Sequence, residues 1–247
     1  MKSQIIQSRA NPRYKHLKQL AQAGFGSDLI VVEGLKLIRE AMAAGVSFES
    51  VWEIEADALN IACPRFRLGA EMYRQASPTR SGNAPLAVVR CPSLNRGEMP
   101  APGRVLLLDA VQEPGNAGAL VRAAAAFGFS AVVWLKPCVF PFHHACIRAS
   151  AGTVFQVKHY LWEDAGPLAS AEMPVFGADG HGEVGLKDVT WPQHLVLAMG
   201  NEGHGLRAEV KAHLTQRVAI PIAPGVESLN VAGAAHILMY HIAERHL

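Results

Sequence analysis

Apolar residues along this chain gather in short runs rather than long amphipathic stripes. In the first hundred residues, Leu29 to Glu33, Val51 to Ile54 and Leu86 to Val89 are compact apolar segments, and Leu35 to Ala44 carries Leu35, Ile38 and Met42 at helical spacing. This alternation predicts a small α/β unit. From Cys91 to Gly103 the apolar content falls and Pro92, Pro100 and Pro102 appear, which predicts a linker. Residues 1–95 then read as one domain, 96–104 as the connection and 105–247 as a second domain.

The runs of the second domain do not alternate with polar residues: Val105 to Leu108, Val132 to Leu135, Val175 to Ala178, Leu195 to Met199 and Val218 to Ile220. Strands buried on both faces have this pattern. Helical stretches lie between and after them, notably Ala117 to Phe127 and Leu229 to Arg245, so the expected architecture is α/β with a mainly parallel sheet flanked by helices.

Composition narrows the class without naming it. Half of the 247 residues are hydrophobic, enough for a substantial core, yet no apolar run approaches the ~18 residues of a membrane-spanning helix. The opening residues lack the unbroken apolar segment of a secretory signal, which makes the cytoplasm the expected compartment. Cys63, Cys91, Cys138 and Cys146 form no C-x-x-C pair and are expected as free thiols. Basic charge is concentrated at the start, where Lys2, Arg9, Arg13, Lys15 and Lys18 precede the first acid, Asp28. Such a patch suits a phosphate backbone, although on charge alone a solvated basic helix is the plainer reading.

In open parallel sheets, ligands lie beyond the carboxyl ends of the strands, which directs attention to the loops after the apolar runs. The first reads A-V-Q-E-P-G-N-A-G-A-L-V-R: Pro114 and Gly115 form a turn, Asn116 is the expected N-cap, and Arg122 lies in an otherwise apolar helix. Taken alone, Arg122 reads as an outer-face residue. The second loop, G-N-E-G-H-G-L, has Gly200, Gly203 and Gly205 spaced neither as a dinucleotide fingerprint nor as a P-loop. The third delivers Glu227, Ser228 and Asn230 to the start of a long apolar helix, where Ser228 is the expected cap.

In combination and order, these loops resemble the SpoU/TrmH branch of the SPOUT methyltransferases. Asn116, Gly118 and Arg122 resemble the family's first motif. M-G-N-E-G-x-G-L from Met199 to Leu206 resembles the second, and I-P-x-x-x-x-V-E-S-L-N-V from Ile220 to Val231 the third. I-R-A-S-A-G-T-V-F from Ile147 to Phe155 is similar to the segment between the first two motifs. V-V-E-G-x-K-L-I-R-E-A from Val31 to Ala41 resembles the family's substrate-binding domain, related to ribosomal protein L30e. Ala21 to Asp28 is less basic than is common there.

The resemblance implies a C-terminal trefoil knot and S-adenosylmethionine-dependent methylation of a ribose 2'-hydroxyl in structured RNA, ribosomal RNA before transfer RNA. It places the cofactor against Met199, Gly200, Asn201, Gly203, Ile220, Leu229 and Asn230, and the catalytic groups at Asn116, Arg122, Glu202, Ser228 and Asn230. Arginine is a poor base, so gripping an RNA phosphate and orienting the hydroxyl is the preferred role of Arg122, with Glu202 orienting Arg122 or a loop amide. RNA contacts are expected from Arg9, Arg13, Lys15, Lys18 and Arg148. Ala232, Ala235, Met239 and Ile242 make an apolar stripe on the final helix, for which core packing is the plainer reading; the family's homodimer, formed by this region and the first motif's helix, implies one here. No metal is expected: His143 and His144 are adjacent, and His181 and His204 stand in glycine-rich loops without paired ligands. Two rivals remain, a nucleotide-binding oxidoreductase and an RNA-binding module that has lost catalysis.

Overall fold

The computed structural model describes residues 3–23, 28–55, 59–79, 84–180 and 182–244. Lys2, residues 24–27, His181 and Arg245 lie outside the described residues. The chain forms two compact units, one of Met1–Pro92 with Phe142–Phe155, the other of Ser93–Pro141 with Gln156–Leu247.

The first unit is built on a five-stranded mixed sheet of β1 (Gln4–Ile6), β2 (Leu29–Glu33), β3 (Phe48–Glu53), β4 (Arg65–Leu68) and β5 (Leu86–Arg90), ordered β1-β4-β3-β5-β2. Helices α1 (Pro12–Gln22) and α3 (Ala70–Ala76) share a core with one face of it, where Tyr14, Leu17, Met72 and Tyr73 meet Val31, Trp52, Phe66 and Val88. Side chains alternate across a strand, so Ile30 and Val32 point the other way. They are buried as well, on the strand against which α2 (Leu35–Ala43) and α5 (His144–Ala149) pack. Burial on both faces is why β2 carries no polar alternation.

Phe142–Phe155 was expected inside the second domain but packs in the first unit. Cys146 and Ile147 are buried there, and the following turn presses on α2 so closely that a Cβ at Gly152 would meet Glu40 Cβ at 2.7 Å. Gly152 also has φ +89, a conformation that disfavours any other residue.

The second unit holds an eight-stranded, wholly parallel sheet. Its strands are β6 (Asn95–Arg96), β7 (Arg104–Asp109), β8 (Ala131–Leu135), β9 (Lys158–Trp162), β10 (Val175–Ala178), β11 (Val184–Gly185), β12 (Leu195–Met199) and β13 (Gln216–Ala219). They are ordered β11-β13-β10-β12-β7-β8-β9-β6. Every residue of β8 and β12 is buried, which accounts for their unbroken apolar text. The stretch expected as a linker is instead the sheet's border: Asn95 and Arg96 pair with β9, and Trp162 Nε1 donates to Glu98 O at 2.8 Å. Strand β9 was not expected, because K-H-Y-L-W looks too polar. His159 nevertheless lies buried, with its Nδ1 accepting from Trp134 Nε1 at 3.0 Å.

Among the described residues the unit's α-helices are α4 (Pro114–Ala126), α6 (Ala208–Lys211) and α7 (Val231–Glu244). Strand β7 leads to β8 on one side while β12 and β10 lie on the other, so the strand order reverses at the β7–β12 pair. The crevice beyond the carboxyl ends at such a reversal is the favoured ligand position.

Candidate active site

The loop after β7 begins under constraint. Ala110 adopts φ 57, unusual for a residue with a Cβ, and its carbonyl accepts from Asn201 Nδ2 at 3.0 Å. Helix α4 then starts at Pro114, three residues earlier than expected for Ala117, because proline suits the first helical position and the Glu113 carboxylate caps by accepting from Asn116 N. The expected cap, Asn116, therefore sits in the first turn with its side chain available for other contacts.

The loop after β12 turns so tightly that a Cβ at Gly200 would meet Gly205 C at 2.2 Å; only glycine fits. Asn201 and Gly205 exchange two backbone hydrogen bonds, and Asn201 Oδ1 accepts from Gly203 N at 3.0 Å and His204 N at 3.2 Å. In the third loop Asn230, rather than Ser228, caps the final helix: its Oδ1 accepts from Ala232 N at 2.9 Å and Gly233 N at 3.3 Å.

These three loops are joined by one polar chain. Asn230 Nδ2 donates to Asn116 Oδ1 at 3.1 Å, and Asn116 Nδ2 donates to Glu202 Oε1 at 2.9 Å. Beside the chain lies a cavity of about 370 Å³, within the ~300–1,000 Å³ usual for small-molecule sites. Met199, Gly200, Asn201, Glu202, Gly203, Ile220, Ser228 and Leu229 line it, all of them anticipated from sequence. Asn116 and Asn230 adjoin through the hydrogen bonds and are not among its lining residues.

Arg122 is not brought to this cavity. It stands exposed on α4, with no hydrogen bond or ion pair to another described residue, and Glu202 serves Asn116 instead of Arg122. Arg9, Arg13, Lys15, Lys18 and Arg148 all fall in the first unit. Arg13 is held by Gln4 Oε1 at 2.7 Å and lies 5.1 Å from the Phe66 ring centre, at the rim of a cavity of about 670 Å³ that Trp52 and Phe66 also line.

Two parts of the site had not been anticipated. Asp109, fully buried at the end of β7, accepts from Arg207 N at 2.7 Å and Arg207 Nε at 2.6 Å, locking the far end of the glycine loop to the sheet. An acid closing the run V-L-L-L-D was the available signal. The cavity also includes Ala178, the last residue of β10, with Asp179 and Gly180 directly after it, a loop that carries none of the three family motifs.

The lining fits a bent cofactor held largely by main chain. Met199, Ile220, Ile222, Leu229 and Val231 offer apolar surface for a heterocycle, and the missing Cβ at Gly200 lets backbone approach backbone. Among the described residues, no group of three or more His, Cys, Asp or Glu is placed to hold a metal ion.

Residues 103–240 match the profile of the SpoU rRNA Methylase family. The chain belongs to the SpoU family. It is 27% identical over 246 residues to the 23S rRNA (guanosine(2553)-2'-O)-methyltransferase of Bacillus subtilis, a match that covers 96% of this chain and 98% of that one. The 23S rRNA (adenosine(1067)-2'-O)-methyltransferase of Streptomyces laurentii is 30% identical over 235 residues, covering 88% and 87% respectively. A solved SpoU methyltransferase from Streptomyces viridochromogenes, in complex with the cofactor AdoMet, has the same fold at TM-score 0.85 and 20% identity, over 96% of this chain and 98% of that one.

Proposed function

We propose that this chain methylates a ribose 2'-hydroxyl of ribosomal RNA, with the large-subunit RNA the first candidate, using S-adenosylmethionine bound in the cavity beside Gly200 and Leu229. The observation that carries this reading is the Asn230–Asn116–Glu202 chain, which links the three family motifs beside a cavity lined by the second and third. As a SpoU family member, the chain is an S-adenosylmethionine-dependent RNA 2'-O-ribose methyltransferase. Relatives named as 23S rRNA 2'-O-methyltransferases support the choice of ribosomal over transfer RNA.

When bound, the cofactor supplies an electrophilic methyl group on a sulfonium. The protein must align the ribose oxygen with that methyl and help remove the hydroxyl proton. Main-chain groups of Gly200, Ile220 and Leu229 hold the cofactor, with Met199, Asn201 and Gly203 shaping the loop and Ser228 and Asn230 positioning ribose or cofactor. Glu202 fixes the Asn116 amide. Arg122 grips an RNA phosphate beside the target ribose and orients its hydroxyl.

Arg122 reaches this role through a homodimer, in which α4 of one protomer faces the cavity of its partner. Its exposure away from its own cavity supports this arrangement. So does the apolar surface left uncovered near it: Val226, Leu229, Ile237 and Tyr240 are exposed large hydrophobics of the third loop and α7. The stripe of Ala232, Ala235, Met239 and Ile242 follows its plainer reading and is buried core. The contact face is therefore Gly233, Ile237 and Tyr240, spaced to share one side of α7.

The first unit, sequence residues 1–95 with the segment around Arg148, binds the RNA in the cytoplasm. Exposed Arg9, Arg13 and Lys15, half-buried Lys18 and the groove beside Trp52 and Phe66 support that role. The position of β12 between the earlier strands β7 and β10 supports a trefoil-knotted second unit.

The test is transfer of labelled methyl from S-adenosylmethionine to total rRNA and tRNA, with mapping of 2'-O-methyl positions and Arg122→Ala as control. Label at one rRNA ribose, lost in the variant, is the expected result. No label despite measurable cofactor binding would overturn the assignment.

A further inference from the structure

The loop after β10 carries a carboxylate that the three family motifs do not use. Asp179 follows directly on Ala178, the last residue of the strand, and lines the same cavity as Gly200 and Ile220. Its placement is rigid: Asp179 N donates to Val218 O at 3.1 Å, and Gly182 N donates back to Asp179 O at 3.0 Å. A Cβ at Gly182 would meet Ala219 N at 2.8 Å, so this loop lies tightly along β13. The Asp179 side chain is 19% exposed and lies 3.7 Å from Arg217 Nη1, while Arg217 also pairs with Glu183.

The other acids near the cavity have different engagements. Asp109 is paired with Arg207; Glu202, which accepts from Asn116, and Glu227, exposed in the third loop, also line the cavity. Asp179 is a further carboxylate lining the cavity, set at the carboxyl end of a central strand beside the point where the strand order reverses. In doubly wound sheets an acid so placed accepts from vicinal ribose hydroxyls, because its two oxygens match two adjacent O–H donors.

We propose that Asp179 is a cofactor-binding residue whose carboxylate accepts hydrogen bonds from the 2'- and 3'-hydroxyls of the adenosyl ribose. This assignment rests on the cavity's being the S-adenosylmethionine site. It adds a side-chain anchor to a site otherwise held by backbone and makes binding sensitive to those two hydroxyls. Arg217 and Glu183 act as its outer support.

Calorimetric titration of the full chain with S-adenosylhomocysteine and with its 2'-deoxy and 3'-deoxy counterparts tests this directly. The wild-type chain is expected to bind the parent compound roughly ten- to a hundred-fold more tightly than the deoxy forms, the range for hydrogen bonds to an ionised group. Asp179→Ala is expected to weaken the parent compound by a similar factor and to bind all three ligands alike. Thermal melting confirms folding, and the isosteric Asp179→Asn provides a second variant that keeps the loop's volume. Undiminished discrimination in both variants overturns the assignment of Asp179 alone, whereas a wild-type chain that binds none of the three overturns the cofactor reading and this one with it.

Discussion

Asn116 uses both ends of its side-chain amide, accepting from Asn230 Nδ2 at 3.1 Å and donating to Glu202 Oε1 at 2.9 Å. The amide therefore has one productive orientation, and its chemistry is not interchangeable with that of aspartate. Asn116→Asp sets a carboxylate against Glu202 and is expected to weaken S-adenosylmethionine binding by about tenfold or more, given ~1 kcal/mol for each hydrogen bond lost and added like-charge repulsion. Adding Glu202→Gln restores a donor opposite the new acid, so the double variant is expected to recover much of the loss. Calorimetry on the four proteins of this double-mutant cycle checks it; strictly additive losses would refute a direct contact.

The Asp109–Arg207 pair gives a stability prediction. Arg207→Ala leaves a fully buried carboxylate without its guanidinium and is expected to cost about 2–4 kcal/mol, reduced from the fully buried case because Arg207 is 34% exposed. Asp109→Asn keeps the shape and an acceptor and is expected to cost less. Urea denaturation measures both, and a loss under ~0.5 kcal/mol for Arg207→Ala would show the lock to be dispensable.

Strands buried on both faces were legible because nothing polar interrupts them, and the glycine loops were legible because few other sequences turn so sharply. Strand β9 was hidden by His159, a polar residue held in the core with Trp134 donating to its ring. Strand β4 was hidden by its brevity, although R-F-R-L alternates with Phe66 and Leu68 inward. The short capping exchange from Ser228 to Asn230 depends on which side chain reaches the helix amides, which spacing alone does not decide. The bond from Asn230 to Asn116 spans 114 positions and has no local signature. Asp179 had one, an acid and a glycine after an apolar run, but it reads equally as an ordinary turn.

His143 and His144 have ring centres 4.3 Å apart with the ring planes tilted, and both have their pKa lowered from the ordinary 6.5 by burial; His143 and Arg148 add repulsion at His144. The native state thus binds fewer protons here than the unfolded chain. Stability rises with pH where the unfolded state holds the extra protons, so these residues weaken the fold as pH falls below about 6.5. Denaturation midpoints between pH 5 and 7.5 are expected to fall on acidification, and less so in a His143→Gln, His144→Gln variant. An identical pH dependence in both proteins would remove these residues as the cause.

The role proposed for Arg122 depends on the planar fork of its guanidinium. Arg122→Lys preserves charge and helix propensity, so the expected outcome is a fall in turnover of roughly tenfold or more with cofactor affinity unchanged. Single-turnover methylation together with calorimetry separates the two. Nearly unchanged turnover would exclude bidentate phosphate recognition.

The exposed side of α7 gives the last prediction. Tyr240 is 54% exposed and Ile237 40%, yet Tyr240 also meets Phe127 at the end of α4 in an edge contact with centres 6.1 Å apart. The uncovered apolar face therefore runs from the final helix to the helix that bears Arg122. Burying it in a twofold interface would repeat the patch against itself and bring each Arg122 toward the other protomer. The chain is expected to sediment as a dimer at micromolar concentration, and Tyr240→Glu, which places charge on that face without altering the core, is expected to yield a folded monomer. If Arg122 serves the partner's cavity, this monomer loses methyl transfer while retaining S-adenosylmethionine binding, because Tyr240 does not line the cavity. A wild-type monomer, or a monomeric variant with full turnover, would place Arg122 outside the reaction.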